Sequence, residues 1–240
     1  MNNCAVVIPI YKFELSPLEK KNIEESLIHL EGFDIYFIAP KSLDVTNYKF
    51  NSTSIKLQRF EDFFFESISN YSRLLLSKEF YLSFSDSYTH ILILQTDARV
   101  LKPDLHYWIN QSFDYIGAPW KEGYQLQIKT NKIPIANGVL CRTQVGNGGL
   151  CLRKIQSCLD LFVEFDDIHD DWIKYGHAED LFFGFLGNIS SFFILPNIYQ
   201  AAKFSHETDS SYFYSLIGNQ IPFGIHGNDK YPFDYLTTDV

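Results

Sequence analysis

Ala5-Val-Val-Ile-Pro-Ile10, then Ser16-Pro-Leu-Glu19, then Phe33-Asp-Ile-Tyr-Phe-Ile-Ala39 decide the fold class. The first stretch is a short unbroken apolar run, as in a parallel strand buried on both faces. The second is a helix start. Ser16 is placed as N-cap, Pro17 takes the first helical position, and Glu19 completes a capping box. Leu18, Ile23, Leu27 and Leu30 follow at helical spacing, and Gly32 stands where such a helix stops. The third stretch is a second apolar strand, closed by Pro40. Strand, helix, strand is the opening of a βαβ unit, which calls for a parallel sheet.

The same alternation continues along the chain. Asp44 to Ser54 reads as loop and Ile55 to Phe60 as a short strand. Glu61 to Phe84 reads as one or two helices, with Phe64, Ile68, Tyr71 and Leu75 on the buried side. His90-Ile-Leu-Ile-Leu94 is another apolar strand and runs into Gln95-Thr96-Asp97. Pro103 to Gln111 reads as a short helix and Tyr115 to Pro119 as a strand. Lys121 to Thr143 is polar and weakly patterned, as in a surface insertion. Gly146 to Arg153 begins as a glycine turn and becomes a strand. Ile155 to Phe165 and Ala178 to Leu186 read as helices, and Asn197 to Val240 as short strands and loops. The expectation is a single α/β domain, with a mainly parallel central sheet and helices on both faces.

Composition narrows the function classes. A net charge of −9 without a Lys/Arg cluster argues against a nucleic-acid partner. Cys4, Cys141, Cys151 and Cys158 show neither CxxC pairs nor zinc spacing and read as reduced thiols. No stretch reaches the length of a spanning helix; Leu181 to Leu195 is interrupted by Gly184, Gly187 and Asn188. A soluble or peripheral cytoplasmic protein is expected. The 22 Phe and 15 Tyr residues mostly fill core, though ring faces also stack on sugars.

Four places could carry chemistry. Asp97 closes an apolar strand, and ligands of open α/β sheets bind at the carboxyl ends of strands. A carboxylate there can hold a hard cation against a diphosphate, or simply cap a loop. Val145-Gly-Asn-Gly-Gly-Leu150 removes side chains where backbone must turn or approach a ligand. Glu179-Asp180 is an acidic pair at a helix start; the macrodipole favours it in any protein, and it can also supply a general base. His226, in Pro222-Phe-Gly-Ile-His226, ends a short strand between glycines, a structural imidazole or a metal ligand.

The order of these four places resembles that of GT-A glycosyltransferases. The resemblance is closer to one bacterial family, associated with surface-polysaccharide genes and labelled a domain of unknown function. It is carried by Val7-Ile-Pro-Ile-Tyr-Lys12, Tyr71-Ser-Arg-Leu-Leu-Leu76, Leu94-Gln-Thr-Asp-Ala98, Asp114-Tyr-Ile-Gly-Ala-Pro-Trp120, Val145-Gly-Asn-Gly-Gly149, Glu179-Asp180 and Pro222-Phe-Gly-Ile-His226. The resemblance implies a GT-A fold, with residues 1–120 as nucleotide-binding half and 121–240 as donor-sugar and acceptor half. It implies a glycosyltransferase, hexosyltransferase-like, that moves sugar from a nucleotide-diphosphate sugar (UDP as default) to a glycan or lipid-linked acceptor. Surface polysaccharide synthesis at the inner membrane face is its implied setting.

Pro9, Ile10, Tyr11, Gln95, Asp97, Gly148 and Gly149 are then donor-binding. Asp97 and His226 hold Mn²⁺ or Mg²⁺. Asp180, or less readily Glu179, is the base of an inverting displacement, and Trp120 is an acceptor platform. One departure stands out: Gln95 occupies the first Asp position of the Asp-x-Asp motif, which removes one charged metal ligand. Two other readings stay open, an inactive sugar- or nucleotide-binding relative and a sugar nucleotidyltransferase. Against the latter, the first strand runs into Tyr11-Lys12-Phe13 rather than a Gly-rich basic loop.

Overall fold

The computed structural model describes residues 3–48, 50, 54–133, 135 and 137–236. The chain begins with β1 (Cys4–Pro9), α1 (Pro17–His29), β2 (Asp34–Pro40) and β3 (Ile55–Phe60). It continues through α2 (Ile68–Leu75), α3 (Lys78–Ser85), β4 (His90–Leu94), β5 (Ala98–Val100) and α4 (Leu105–Ile109). Then follow β6 (Tyr115–Ile128), β7 (Val139–Lys154), α5 (Ile155–Glu164), α6 (Asp166–Tyr175) and α7 (Glu179–Ile189). The last elements are α8 (Ile198–Phe204), β8 (Ser205–His206), α9 (Ser210–Leu216) and β9 (Gly224–His226).

The main sheet has six strands in the order β3-β2-β1-β4-β7-β6. The first four run parallel, while β7 is antiparallel to β4 and β6 antiparallel to β7. The sheet is thus mostly parallel, as expected, with an antiparallel pair at one side. It takes strands from both halves of the sequence, so the halves share one layer.

The βαβ opening forms as its sequence requires. Ser16 Oγ accepts from the Glu19 amide, and the Glu19 carboxylate accepts from the Ser16 amide. The apolar runs of β1 and β4 are buried from end to end. Their alternate side chains feed two cores. Val7, Ile91 and Ile93 pack toward α2, α3, α5 and α7, and Val6, Ile8, Leu92 and Leu94 toward α1 and α4. Each such burial contributes roughly 1.5–3 kcal/mol, so the central strands are the fixed platform on which the loops stand.

Four expectations need correction. Lys121 to Thr143 is no loose insertion: β6 and β7 continue through it as a long hairpin, with Tyr124 opposite Thr143 and Ile128 opposite Val139. Tyr124 to Gln127 are all exposed, so no half-buried alternation marks the strand in the sequence. Gly146 to Gly149 is not a turn but lies within β7, where the register against β6 shifts. Ile68 opens α2 and is 86% exposed rather than on the buried side, whereas Leu75 is fully buried. The tail holds the helices α8 and α9 besides its short strands. Residues 237–240 of that tail, and part of the loop expected over Asp44 to Ser54, lie outside the described residues.

All four cysteines are free and buried. Among the described residues no helix is long and apolar enough to cross a membrane.

Candidate functional site

Strand pairing assembles the site. β1 and β4 run in parallel, with Val7 opposite Ile93, so their carboxyl ends, Pro9 to Tyr11 and Gln95 to Asp97, emerge side by side. The β4–β7 register sets Leu94 opposite Leu150, and the Gln95 amide donates to the Gly149 carbonyl at 2.9 Å. A second, three-stranded sheet, β5-β9-β8, closes the arrangement. In it Ala98 stands opposite His226, and the Gly227 amide donates to the Asp97 carbonyl at 2.9 Å. Two residues far apart in sequence, Asp97 and His226, become neighbours through this register.

They share a cleft of about 630 Å³ with Pro9, Tyr11, Lys12, Gln95 and Lys230, and with Phe65, Ile68 and Tyr71 of the α2 region. Ile10 does not line it, being fully buried in the core. Gly148, Gly149, Glu179, Asp180 and Trp120 stand outside its walls.

His226 is held from both sides. Its Nε2 lies 3.3 Å from Asp97 Oδ1, a charge contact not aligned as a hydrogen bond. Its Nδ1 lies 3.1 Å from Glu207 Oε1 and 3.0 Å from Asn147 Oδ1. Asn147 Nδ2 in turn donates to Glu207 Oε2. Burial alone would lower the imidazole pKa, but the two carboxylates outweigh it and raise it to about 9. Asp97 moves the other way: burial would raise it, yet His226 and Lys230, whose Nζ lies 3.2 Å from Oδ2, bring it to about 2. Glu207, Asn147 and Lys230 are absent from the sequence reading as role-bearing residues. Asn147 lies inside the glycine motif and Lys230 four residues past His226, but Glu207 left no signal.

The start of α1 braces this site. Thr96 Oγ1 donates to Glu19 Oε1 at 2.7 Å, and Lys12 Nζ pairs with the same oxygen at 2.8 Å. Asn22, fully buried, bonds the Thr96 carbonyl and the Asn228 side chain. The capping box read from the sequence therefore also ties α1 to both loops of the cleft.

The glycines of β7 are explained by their neighbours. A Cβ at Gly149 would come within 2.1 Å of His226 Nε2, and one at Gly148 within 2.6 Å of Glu179 Oε1. Gly148 also faces Asp180, whose Cβ would lie 3.5 Å away. Bare backbone here lets the imidazole approach one side of the strand and the acidic pair the other.

The acidic pair divides in two. Glu179 is buried, with Oε1 3.0 Å from Arg153 Nη2 and Oε2 accepting from Ser72 Oγ at 2.9 Å. Arg153 is itself fully buried and also donates to the Tyr81 hydroxyl. Both Glu179 oxygens are thus engaged in the core. Asp180 forms no ion pair among the described residues, the nearby Arg153 being engaged by Glu179. Burial first, and then the Glu179 charge, raise its pKa to about 7, the range in which a carboxylate can act as a general base near neutral pH. Trp120 is nearly buried and meets Tyr124 edge-on at 4.9 Å between centroids.

Among the described residues, no group of three or more His, Cys, Asp or Glu side chains could hold a metal ion. Asp97 Oδ1 and His226 Nε2 nevertheless face each other, and the buried Nε2 has no hydrogen bond among the described residues. Glu207 and Asn147 engage Nδ1, so Nε2 is the nitrogen that would coordinate a cation, on loss of its proton. The chemistry of this pair, one carboxylate and one imidazole, would suit a divalent cation that takes its other ligands from outside the protein.

The model of the family described as "Protein of unknown function (DUF5672)" matches residues 54–226. The chain belongs to this family. The matched segment holds Asp97, the β7 glycines, the acidic pair and His226 of this DUF5672 chain. No curated protein matches it.

Solved structures show its fold. Mouse xyloside xylosyltransferase 1 in its apo form aligns at 12% identity and TM-score 0.53, covering 95% of this chain and 98% of that one. The galactosyltransferase LgtC, in complex with donor and acceptor sugar analogues, aligns at 14% identity and TM-score 0.54, covering 92% and 86%. An active-site mutant of LgtC aligns at 15% identity and TM-score 0.51, with the same coverage. The fold is a mixed α/β single domain of the GT-A glycosyltransferase type.

Proposed function

We propose that the protein is a glycosyltransferase that moves a sugar from a nucleotide-diphosphate sugar to a hydroxyl of a glycan acceptor. The observation that carries this reading is the meeting of Asp97, His226 and Lys230 in one cleft at the carboxyl ends of β1 and β4. Such a cleft is where doubly wound sheets take nucleotides. The Lys230 ammonium supplies countercharge for a diphosphate, and Lys12 adds a second ammonium at the wall. Tyr11, half exposed at the end of β1, offers a face for the base. Gln95 can hydrogen-bond ribose or base.

Asp97 and His226 would hold a divalent cation against the diphosphate. When bound, that ion acts as a Lewis acid for the leaving group. Asp180 is assigned as the base. It takes the proton of the acceptor hydroxyl as the new oxygen–C1 bond forms and the bond from C1 to the phosphate oxygen breaks. The nucleoside diphosphate departs with the electron pair, its charge offset by Lys230. Glu179 keeps a structural role through Arg153. UDP is the default donor nucleotide for this fold, and the motif resemblance supports an acceptor in bacterial surface polysaccharide, free or lipid-linked.

The test is a thermal-shift screen of nucleotide sugars with and without Mn²⁺, because a ligand that binds only the folded state raises the melting temperature. A shift that needs the ion and disappears in Asp97→Ala, together with sugar transfer that disappears in Asp180→Asn, is the expected result. No shift for any donor in folded protein sinks the reading and favours an inactive relative.

A further inference from the structure

A second pocket, of about 340 Å³, opens between the β6–β7 hairpin and the helices α6 and α7. Tyr124, Trp172, Tyr175 and His177 supply ring walls, and Gln125 and Asp171 supply polar groups. Its size is at the small end of ligand pockets, roughly 300–1,000 Å³.

Its position relates it to the site already described. Ala178 and Leu181, on either side of Glu179 and Asp180 in the chain, are part of its wall. A Cβ at Gly146 would meet the Asp180 carbonyl at 3.3 Å and Trp120 Cη2 at 3.7 Å. Trp120 in turn abuts Tyr124, which lines the pocket. On the other side, a Cβ at Gly148 would lie 3.5 Å from Asp180 Cβ, and the next residue, Gly149, packs against His226 of the first cleft. The ridge that carries Asp180 therefore runs between the two cavities.

The lining selects the ligand class. Among the described residues it includes no Lys or Arg, and its one carboxylate, Asp171, disfavours anions such as lipid phosphates and acidic sugars. Aromatic faces beside a carboxylate and an amide suit a neutral pyranose, whose C–H face packs on a ring while its hydroxyls donate and accept at the edge. Tyr124 and Tyr175 are 47% and 64% exposed, an arrangement that a core role does not require.

We infer that this pocket is the acceptor subsite and takes a neutral hexose or pentose ring of the glycan, stacked on Tyr175 or Tyr124. The inference rests on the transferase reading for its word "acceptor", but the sugar site itself can be tested separately. Saturation-transfer NMR of the full chain is run with the methyl β-glycosides of glucose, galactose and xylose, and with decanol as an apolar competitor. At least one glycoside is expected to bind. Tyr175→Ala and Tyr124→Ala, both at exposed positions, are expected to weaken it about tenfold with an unchanged melting temperature and an unchanged nucleotide-sugar shift.

Three results would overturn the inference: no glycoside bound, binding indifferent to both substitutions, or decanol bound in the pocket while the glycosides are not. Loss of the nucleotide-sugar shift in wild-type protein would instead remove the transferase reading and leave a sugar-binding pocket standing.

Discussion

The His226 ring occupies the space in which a side chain at Gly149 would stand, with Nε2 2.1 Å from the Cβ position. The obstacle is a ring fixed by Asp97 on one edge and by Glu207 and Asn147 on the other. Gly149→Ala must therefore displace the imidazole. We expect a loss of about 1–3 kcal/mol in stability, as for other overpacked sites, and loss of any Mn²⁺-dependent part of the donor shift. Urea unfolding and the thermal-shift screen read the two effects separately. A variant that keeps both at wild-type values would mean that the ring has room to move.

Arg153 and Glu179 are expected to behave as a buried ion pair. Breaking one from either side strands a charge, at a cost of about 3–5 kcal/mol, whereas replacing both with apolar residues is often neutral. Glu179→Ala should thus be strongly destabilised in urea, and Arg153→Met with Glu179→Leu should recover most of the loss. Additive single losses would argue against a coupled pair.

Some of this was legible in the sequence because its chemistry is local. Ser16, Pro17 and Glu19 announce α1 within four residues, and the apolar runs of β1 and β4 need no partner to be read. The hairpin over Tyr124 to Gln127 was not legible, because strands exposed on both faces carry no alternation. Helix α6 was not legible because Asp166-Asp-Ile-His-Asp-Asp171 is mostly charged, and its buried face is made by His169 and Trp172 rather than by an apolar run. At the site, Asp97 and His226 could be proposed from strand ends, but Glu207 could not. Its role comes from the parallel pairing of β8 with β9, His206 opposite Ile225, a long-range register that no local pattern encodes. The division of labour in Glu179-Asp180 was hidden for the same reason, since it depends on where Arg153 points.

Stability should depend on alkaline pH through His226. Its folded pKa of about 9 lies above the ordinary value of 6.5. The stabilisation from protonation is therefore fully present below about pH 6.5 and is lost as pH rises through about 9. The difference is on the order of 3 kcal/mol at most. Metal-free protein should lose melting temperature over this window, and His226→Gln should flatten the profile there. Asp97, lowered to about 2, adds a separate loss only in strong acid. A wild-type profile that is flat from pH 6 to 10 would exclude the ion pair.

Asp180 makes the opposite kind of prediction, in which removing a charge helps the fold. Its folded pKa of about 7 is raised from 3.8, so the folded state resists its ionisation. Raised pKa means stability present below about pH 4 and lost as pH climbs through 7. Asp180→Asn, neutral at every pH, escapes that loss. It should match wild type near pH 4 and exceed it near pH 8, by an amount on the order of a few kcal/mol. The same substitution removes the assigned base, so transfer should fall by at least about a hundredfold. Wild-type activity should rise with pH through about 7, as the carboxylate forms. Denaturation at the two pH values and a transfer assay across the range separate the outcomes. Gain of stability with loss of transfer is what a strained base predicts, because a site that holds a charge out of water for chemistry does so at the expense of the fold. Loss of both would mean that the Asp180 carboxylate supports the fold through its bond to the Leu181 amide, and the base would have to be sought elsewhere.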